Sequence, residues 1–489
     1  MTLRSYPSPL PAVVLAATIA LAAACATNPA TGQRQISLMS EAQEISIGQE
    51  QDLQVKKEMG IYNDPALQQY VSDIGMRLAK LSERPNLPWH FAVVDQPAVN
   101  AFALPGGYIY ITRGILPFLD DEAELAGVLG HEIGHVTARH AAQQYTRSIG
   151  GTIGLAALSI FVPAARPLGD VASSALGVLF LKYGRGDELQ ADSLGAKYEA
   201  AGGWDPAGIP GMLSTLGRLD EAAGEKKGVP NWLSTHPDPL SRVKEIQPQV
   251  QQIKAAAPGG AYKRDRDALL QRVDGLVYGD SPEQGITRGS TFFHPPLKFR
   301  IDFPTGWEVQ NSPSEVVAKA PNAEVYMLLE LVEQPQGRTM QEVATNQMTM
   351  AGFRGLQGER TTIDGLEAFV GTYQGQIEGL GSVTMRAAHI AYERNVFMVA
   401  GLTAPNTFQQ ADAAFVSSIR SFKRLTPAEA ENIHPNRVDL YVVRNGDTWQ
   451  SIAERSGGAV KAATLAVMNH AEPNSQPQPG TRIKIVVGG

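Results

Sequence analysis

The sequence predicts an α+β multidomain protein: a mainly helical first domain with a small sheet, an α+β domain after it, and a short βααβ domain at the end. Three observations carry this. A helix-period run over Asp121–His140 follows two short strand-like runs, residues 297–402 hold several β-branched or alternating runs, and small-residue or Pro-rich breaks separate these regions. At 489 residues the chain has room for two to four domains. A net charge of −7 with both signs interspersed argues against a nucleic-acid partner and leaves no basic face for anionic lipid. Cys25 is the only cysteine, so no disulfide forms within the chain.

Residues 1–24 read as a secretory signal: Arg4 gives a positive start, Ala12–Ala24 is an apolar run too short to span stably, and small residues precede Cys25. Leu21-Ala22-Ala23-Ala24-Cys25 resembles a bacterial lipobox. That resemblance implies cleavage before Cys25 and acylation of its thiol and new amino group, and Ala26 in place of Asp implies the outer membrane's periplasmic face. Several acyl chains anchor a protein stably where one does not. Residues 25–39 are then a lipidated polar tether with turns at Asn28-Pro29 and Thr31-Gly32.

The first domain is expected over 40–254. Ser40 with Gln43 forms a capping box for one helix, and a second spans Pro65–Leu81. Phe91–Asp95 and Tyr108–Thr112 read as strands, the latter following a Pro105-Gly106-Gly107 turn. Asp121 with Glu124 then starts a helix whose Leu125, Val128, Leu129 and Val136 recur at helical spacing. It carries His131-Glu132-Ile133-Gly134-His135. Residues four apart stack on one helix face, so the two imidazoles can grip one metal ion, and Glu132 can reach a bound water as general base. Zinc lowers the pKa of such a water to about 7.

A catalytic zinc takes three protein ligands and leaves one position open. His140 is the nearest candidate, but it is five residues past His135 and points off the ligand face. Glu188, in Gly186-Asp187-Glu188-Leu189-Gln190-Ala191-Asp192, is the better third ligand. Asp192, four residues on, shares its face and can accept a hydrogen bond from a ligating imidazole.

HEIGHVTARH followed by the DELQAD segment resembles the HtpX and CAAX-prenyl-protease group of gluzincin metallopeptidases, as do Asn100–Gly107 upstream and Ser234-Thr235-His236-Pro237 downstream. The four motifs fall in the family's order. The resemblance implies a zincin-type domain with zinc endopeptidase activity, one Zn2+ per chain on His131, His135 and Glu188, and Glu132 as base. Membrane-embedded relatives carry several transmembrane helices; this chain is more similar to the soluble lipoprotein branch of bacterial envelopes. The family also implies that Tyr108–Thr112 is the sheet edge over the metal, where an extended substrate pairs by its main chain. Asn100, Ala101, Phe102, Gly106, Gly107 and Tyr108 are the corresponding substrate-binding candidates. His236 is a catalytic candidate with two readings: it stabilises the oxyanion, or it fills the open zinc position and holds the enzyme latent.

The apolar runs Ile149–Val162 and Val171–Leu181 are each shorter than the roughly 20 residues a membrane span needs. They read as buried or amphipathic helices covering the cleft.

Residues 255–289 are expected as a linker with a helix over Arg264–Leu276. An α+β domain follows at 290–425. Leu297–Phe303 alternates as a strand with one wet face does, strand-like runs recur at Val325–Val332, Ala368–Gln374, Val383–Ile390 and Asn395–Leu402, and Phe408, Ala411, Phe415, Ile419 and Phe422 mark a helix packed by one stripe. Phe303-Pro304-Thr305-Gly306-Trp307 loosely resembles PsbP-like domains. After a linker at 426–437, residues 438–489 resemble a LysM module in VVRNGDTWQSIAERSG, TLAVMN and PGTRIKIV. Asp447 is the expected cap of its first helix, with Gln450 at the third position. The resemblance implies binding to peptidoglycan-type glycans, although HAEPNSQPQ replaces the usual apolar residues before Pro479.

The expectation is therefore a zinc endopeptidase, lipid-anchored in the periplasm, whose protein partners are misfolded or stalled envelope substrates. The competing classes are a chaperone or assembly factor that binds without cutting, and a glycan-binding scaffold with structural zinc.

Overall fold

The computed structural model describes residues 25–37, 39–151, 183–223, 232, 235–257 and 262–489. The expected signal segment and nearly all of the two apolar runs lie outside the described residues. Among those described, no helix is long and apolar enough to cross a membrane.

The chain opens with a two-stranded ribbon, β1 (Cys25–Thr27) against β2 (Arg34–Ile36), with Cys25 opposite Ile36. Helix α1 (Glu41–Met59) starts at the expected capping box: the Ser40 side chain accepts from Gln43 N while Gln43 takes Ser40 N at 2.8 Å. Helix α2 (Pro65–Ala79) is capped by Asp64. A three-stranded sheet follows from β3 (His90–Val94), β4 (Ala101–Leu104) and β5 (Tyr108–Thr112) in the order β3-β5-β4. This corrects the expected edge. The Pro105–Gly107 turn, with Gly106 at φ 81 and Gly107 at φ 100, folds β4 back antiparallel along β5, and β3 pairs parallel on the other side. Strand β5 is central, with β3 and β4 at the two edges.

Helix α3 (Glu122–Thr137) runs through the middle of the domain with every residue buried. Its Leu125, Val128, Leu129 and Ile133 join one core with Val71 of α2 and Ile111 of β5. Around it lie α4 (His140–Gly151), α5 (Arg185–Ala201), α6 (Gly208–Ala223), α7 (Pro239–Ala256) and α8 (Arg266–Val273), the last starting two residues later and ending three residues earlier than the sequence suggests. The segment expected as a linker also holds β6 (Val277–Tyr278) and β7 (Ile286–Arg288).

In the next region β7, β8 (Thr291–His294), β9 (Phe299–Asp302) and the late β17 (Lys423–Arg424) form a four-stranded sheet, ordered β17-β9-β8-β7. Strands β10 (Glu308–Asn311), β11 (Glu315–Lys319), β12 (Val325–Leu331), β13 (Arg354–Ile363), β14 (Leu366–Ile377), β15 (Gly381–Tyr392) and β16 (Asn395–Thr403) form an antiparallel sheet ordered β10-β11-β12-β16-β15-β14-β13. Side chains alternate across it. Phe397 and Val399 face Phe415 and Ile419 of α10 (Phe408–Arg420), whereas Met398 and Ala400 face Val343 and Met348 of α9 (Met340–Met350). The sheet is thus covered on both faces, where one packed face was expected.

The expected linker at 426–437 contains a short helix, α11 (Pro427–Glu431), with its own Thr426–Glu429 capping box. The tail has the βααβ order expected: β18 (Asn436–Val442), α12 (Trp449–Arg455), α13 (Ala462–Met468) and β19 (Arg482–Val487). Thr448 with Ser451, not Asp447 with Gln450, caps α12. Asp447 instead takes the Arg444 amide and the Tyr441 hydroxyl, at 2.8 and 2.7 Å.

This tail is docked on the first domain. Strand β18 pairs with β6, and Phe118 and Leu219 enter the same apolar cluster as Trp449, Leu465 and Ile483. At the seam Lys484 is fully buried and its Nζ donates to Leu119 O at 2.5 Å, while His470 Nε2 lies 3.2 Å from Glu124 Oε2 at the start of α3. Burial, against the pull of Asp120 and Glu124, lowers the Lys484 ammonium to about 8. Between that value and the ordinary 10.5 the unfolded chain binds the extra proton, so the lysine's contribution to stability rises with pH across this window. Urea unfolding of the wild type against Lys484→Met should therefore show the wild type gaining stability on the variant from about pH 8 to 10.5. A flat difference would mean that the ammonium keeps its water.

Candidate metal centre

The centre begins with close helix packing. Helices α3 and α5 cross at Gly130 and Gly134 against Gly195 and Ala191, and a Cβ on Gly134 would lie 3.0 Å from Ala191 O. Lacking side chains there, the two backbones approach closely enough for Glu188 to reach across. On α3 the Asp121 carboxylate accepts from Glu124 N at 3.0 Å, while the Glu124 side chain takes Asp120 N rather than completing the box.

His131 and His135 lie one turn apart, with Nε2 atoms 3.0 Å from each other. Glu188 Oε2 is 3.6 Å from His131 Nε2 and Glu188 Oε1 is 3.6 Å from His135 Nε2. His236 stacks on Trp232 at 3.9 Å, its Nδ1 is 2.8 Å from Thr235 Oγ1, and its Nε2 is 3.6 Å from Glu132 Oε1. One donor atom from each of His131, His135, Glu188 and His236 falls within 4.8 Å of the others. All four residues, and Glu132, are buried.

The second ring nitrogens are held from behind. Asp192 Oδ1 lies 2.9 Å from His131 Nδ1, a close contact without hydrogen-bond alignment, and Asp192 accepts two bonds from Arg242, at 2.8 and 2.6 Å. Arg242 Nη1 also lies 2.5 Å from Glu188 Oε2, an ion contact without hydrogen-bond alignment. Burial works to raise the Asp192 carboxyl, but Arg242 and His131 outweigh it and hold it at about 2. Burial lowers His131, and lowers His135 and His236 further, so all three imidazoles are neutral at pH 7. Burial pushes Glu132 up to about 8 and Glu188 well above the carboxylate range, each opposed by Arg242. A cation among these groups would draw both carboxyls back down.

The residues fit such a cation. Both oxygens of Glu188, both of Glu132 and His236 Nε2 are buried without a hydrogen-bond partner. With Nδ1 of His131 turned to Asp192, its Nε2 lone pair faces His135 Nε2 at 3.0 Å, and a cation between the rings would take one lone pair from each. Tetrahedral zinc at ~2.0–2.1 Å sets neighbouring donors roughly 3.3 Å apart, and the separations of 3.0 and 3.6 Å bracket that figure.

The remaining candidates are more dispersed. Ala101 and Phe102 belong to edge strand β4, with Asn100 just before it, its Oδ1 accepting from Ala101 N at 2.9 Å. The Phe102 ring stacks on Tyr110 and the Tyr108 ring on His90. Gly106 lines a small open pocket beside His135, together with Ala103, Leu104 and Val136, while Gly107 packs against Trp89. Cys25 lies at the start of β1.

Three contacts had no local signal. Arg242 reaches Asp192 across 50 positions, Tyr183 stacks on His135 at 4.0 Å, and Gln190 meets His140. His140 itself was visible, but its direction was not: α3 ends at Ala138, Arg139 takes φ 59, and α4 restarts at His140. On an unbroken helix the five-residue step would turn His140 about 140° from His135. The break instead returns its Nδ1 to 2.8 Å from His135 Nδ1.

Residues 65–250 match the model of peptidase family M48, and residues 441–486 that of the LysM domain. The chain is 32% identical over 238 residues to the Beta-barrel assembly-enhancing protease of Escherichia coli (strain K12), over 47% of this chain and 48% of that protein. It is 33% identical over 195 residues to the Mitochondrial metalloendopeptidase OMA1 of Arabidopsis thaliana, over 40% of this chain and 38% of that one. The chain thus spans about half the length, or less, of these curated relatives. Among solved structures it is similar to cyanobacterial PsbP (CyanoP) from Synechocystis sp. PCC 6803 at 13% identity, over 30% of this chain and 98% of that one, with a TM-score of 0.22. That score is too low to assign a fold. Residues 65–250 are therefore a peptidase family M48 domain, and residues 441–486 a LysM domain.

Proposed function

We propose that this chain is a zinc-dependent endopeptidase of the bacterial envelope, anchored by lipid at Cys25 on the periplasmic side, that cleaves misfolded or stalled envelope proteins. The observation that carries the reading is the buried convergence of His131, His135 and Glu188, with orphaned oxygens, beside an unpartnered Glu132. Similarity to proteins named as a protease and a metalloendopeptidase supports it.

His131, His135 and Glu188 would hold the zinc, which when bound polarises the scissile carbonyl and acidifies water. Glu132 takes a proton from the attacking water and returns it to the leaving amine. Asp192, fixed by Arg242, sets the His131 tautomer and plane. An extended segment of substrate pairs by its main chain with edge strand β4, which favours chains that lack their own partners. His236 is read as a fourth donor at rest, because its Nε2 lacks a hydrogen-bond partner and lies within the same donor cluster. The LysM domain is proposed to contact peptidoglycan.

The test is hydrolysis of unfolded envelope proteins by the purified chain with and without a zinc chelator. Loss of cleavage with chelator and its return with added zinc is expected; cleavage indifferent to chelator would reject the reading. For localisation, Cys25→Ser should move the protein from the membrane to the soluble fraction of fractionated cells, and a variant that stays bound would place the anchor elsewhere.

A further inference from the structure

We propose that His140 and Gln190 form a positioning pair that fixes the tautomer and ring plane of His135, as Asp192 and Arg242 do for His131. The inference rests on the metal reading above and adds to it a role for two residues outside the donor set.

The contacts form a chain with one consistent set of protons. His135 Nε2 faces His131 Nε2 and Glu188, so a metal-ligating His135 must carry its proton on Nδ1. The atom 2.8 Å from that Nδ1 is His140 Nδ1, which must then accept. A neutral imidazole that accepts at Nδ1 carries its proton on Nε2. His140 Nε2 lies 3.0 Å from Gln190 Oε1, an atom that can only accept, while the Asp187 carboxylate is farther away at 3.9 Å. Each link therefore dictates the next: the Gln190 amide oxygen sets His140, and His140 sets His135. Both histidine side chains are buried, which makes an unpaired ring N–H costly.

The backbone that aims His140 is itself built for the purpose. Arg139, at φ 59, breaks the helix between the two histidines. Its guanidinium is tied to Glu44 Oε1 and Met39 O, each at 2.6 Å. Asn28 and Gln143 both donate to Ala138 O, at 3.2 and 2.8 Å. Glu188, Gln190 and Asp192 all lie on α5, so one helix supplies the third donor and an anchor for each of the two imidazoles. The two anchors differ in kind. His131 meets a charged carboxylate fixed by arginine, and His135 meets a neutral ring fixed by an amide, so the pair orients a ligand without adding negative charge to the site.

The test measures zinc affinity of the full chain by competition with a chromophoric chelator, together with the visible absorption of the cobalt-substituted protein. His140→Ala should bind zinc ~10–100-fold more weakly and alter the cobalt spectrum. His140→Asn, which puts an amide oxygen near the lost Nδ1, should recover most of the affinity. Gln190→Leu should weaken binding, while Gln190→Glu, which keeps the acceptor, should stay near wild type. Should His140→Ala fail to fold, as judged by circular dichroism of the metal-free protein, the Gln190 pair of variants decides. A folded His140→Ala, or a Gln190→Leu, that binds zinc as tightly as wild type with an unchanged cobalt spectrum overturns the proposal. A wild type that binds no zinc would instead overturn the metal reading beneath it, an outcome read from a different sample.

Discussion

Glu132→Gln should lower turnover of an unfolded protein substrate by ~10²–10⁴-fold while leaving zinc binding and folding intact. The amide keeps the volume and one oxygen of the carboxylate but cannot take a proton from water. His236 Nε2 lies 3.6 Å from Glu132 Oε1, but burial holds that imidazole well below its ordinary pKa and makes it a poor replacement base. Glu132 has no hydrogen-bond partner, so the fold loses nothing by its exchange. The variant also separates the functional classes. A chaperone or a zinc-stabilised glycan-binding scaffold would keep its function with glutamine at 132, whereas a peptidase would not. Unchanged cleavage by the variant would remove the general-base role.

Arg242→Met should destabilise the chain by about 3–5 kcal/mol, because it leaves the buried Asp192 carboxylate without its counter-ion. The guanidinium is fully buried, holds Asp192 by two bonds and touches Glu188. Its loss strands the Asp192 carboxylate, which then keeps only His131 beside it. The pH dependence gives a second check with a fixed sign. Asp192 is held at about 2 in the folded chain against an ordinary 3.8, so its contribution is present above about pH 4 and is lost as the pH falls through 2. The gap between wild type and Arg242→Met, read from urea unfolding, should therefore narrow as the solution is acidified below pH 4. A loss under about 1 kcal/mol, within the range of an exposed ion pair, would show that the arginine reaches solvent.

The parts of the centre that could be read ahead of the structure were those with local periodicity. His131 and His135 are four apart on a capped, apolar helix, and Glu188 and Asp192 repeat that spacing on a second one. What periodicity cannot supply is partner choice between distant elements. Arg242 reaches Asp192 from a third helix, and nothing around it in sequence marks it off from the other basic residues of α7. His140 was discounted because an unbroken helix was assumed, and the single left-handed residue Arg139 reversed its direction. The edge strand was misplaced for a related reason. A hairpin turn tells which two strands pair, but not that β3 comes to the far side of β5 and places β5 between two neighbours. At the tail, Asp447 and Thr448 are adjacent cap-forming residues, and only the competing bonds of Asp447 to Tyr441 and Arg444 decide between them. The docking of the tail through Lys484 onto Leu119 was likewise invisible, since a lysine between apolar strand residues reads as solvated.

Anomalous diffraction at the zinc edge, from crystals of the full chain, tests the central claim most directly. One peak per chain is expected, bonded at ~2.0–2.2 Å to Nε2 of His131, Nε2 of His135 and a carboxylate oxygen of Glu188. A zinc-supplemented crystal with no peak there, or with Glu188 held only by Arg242 and the metal elsewhere, would contradict it.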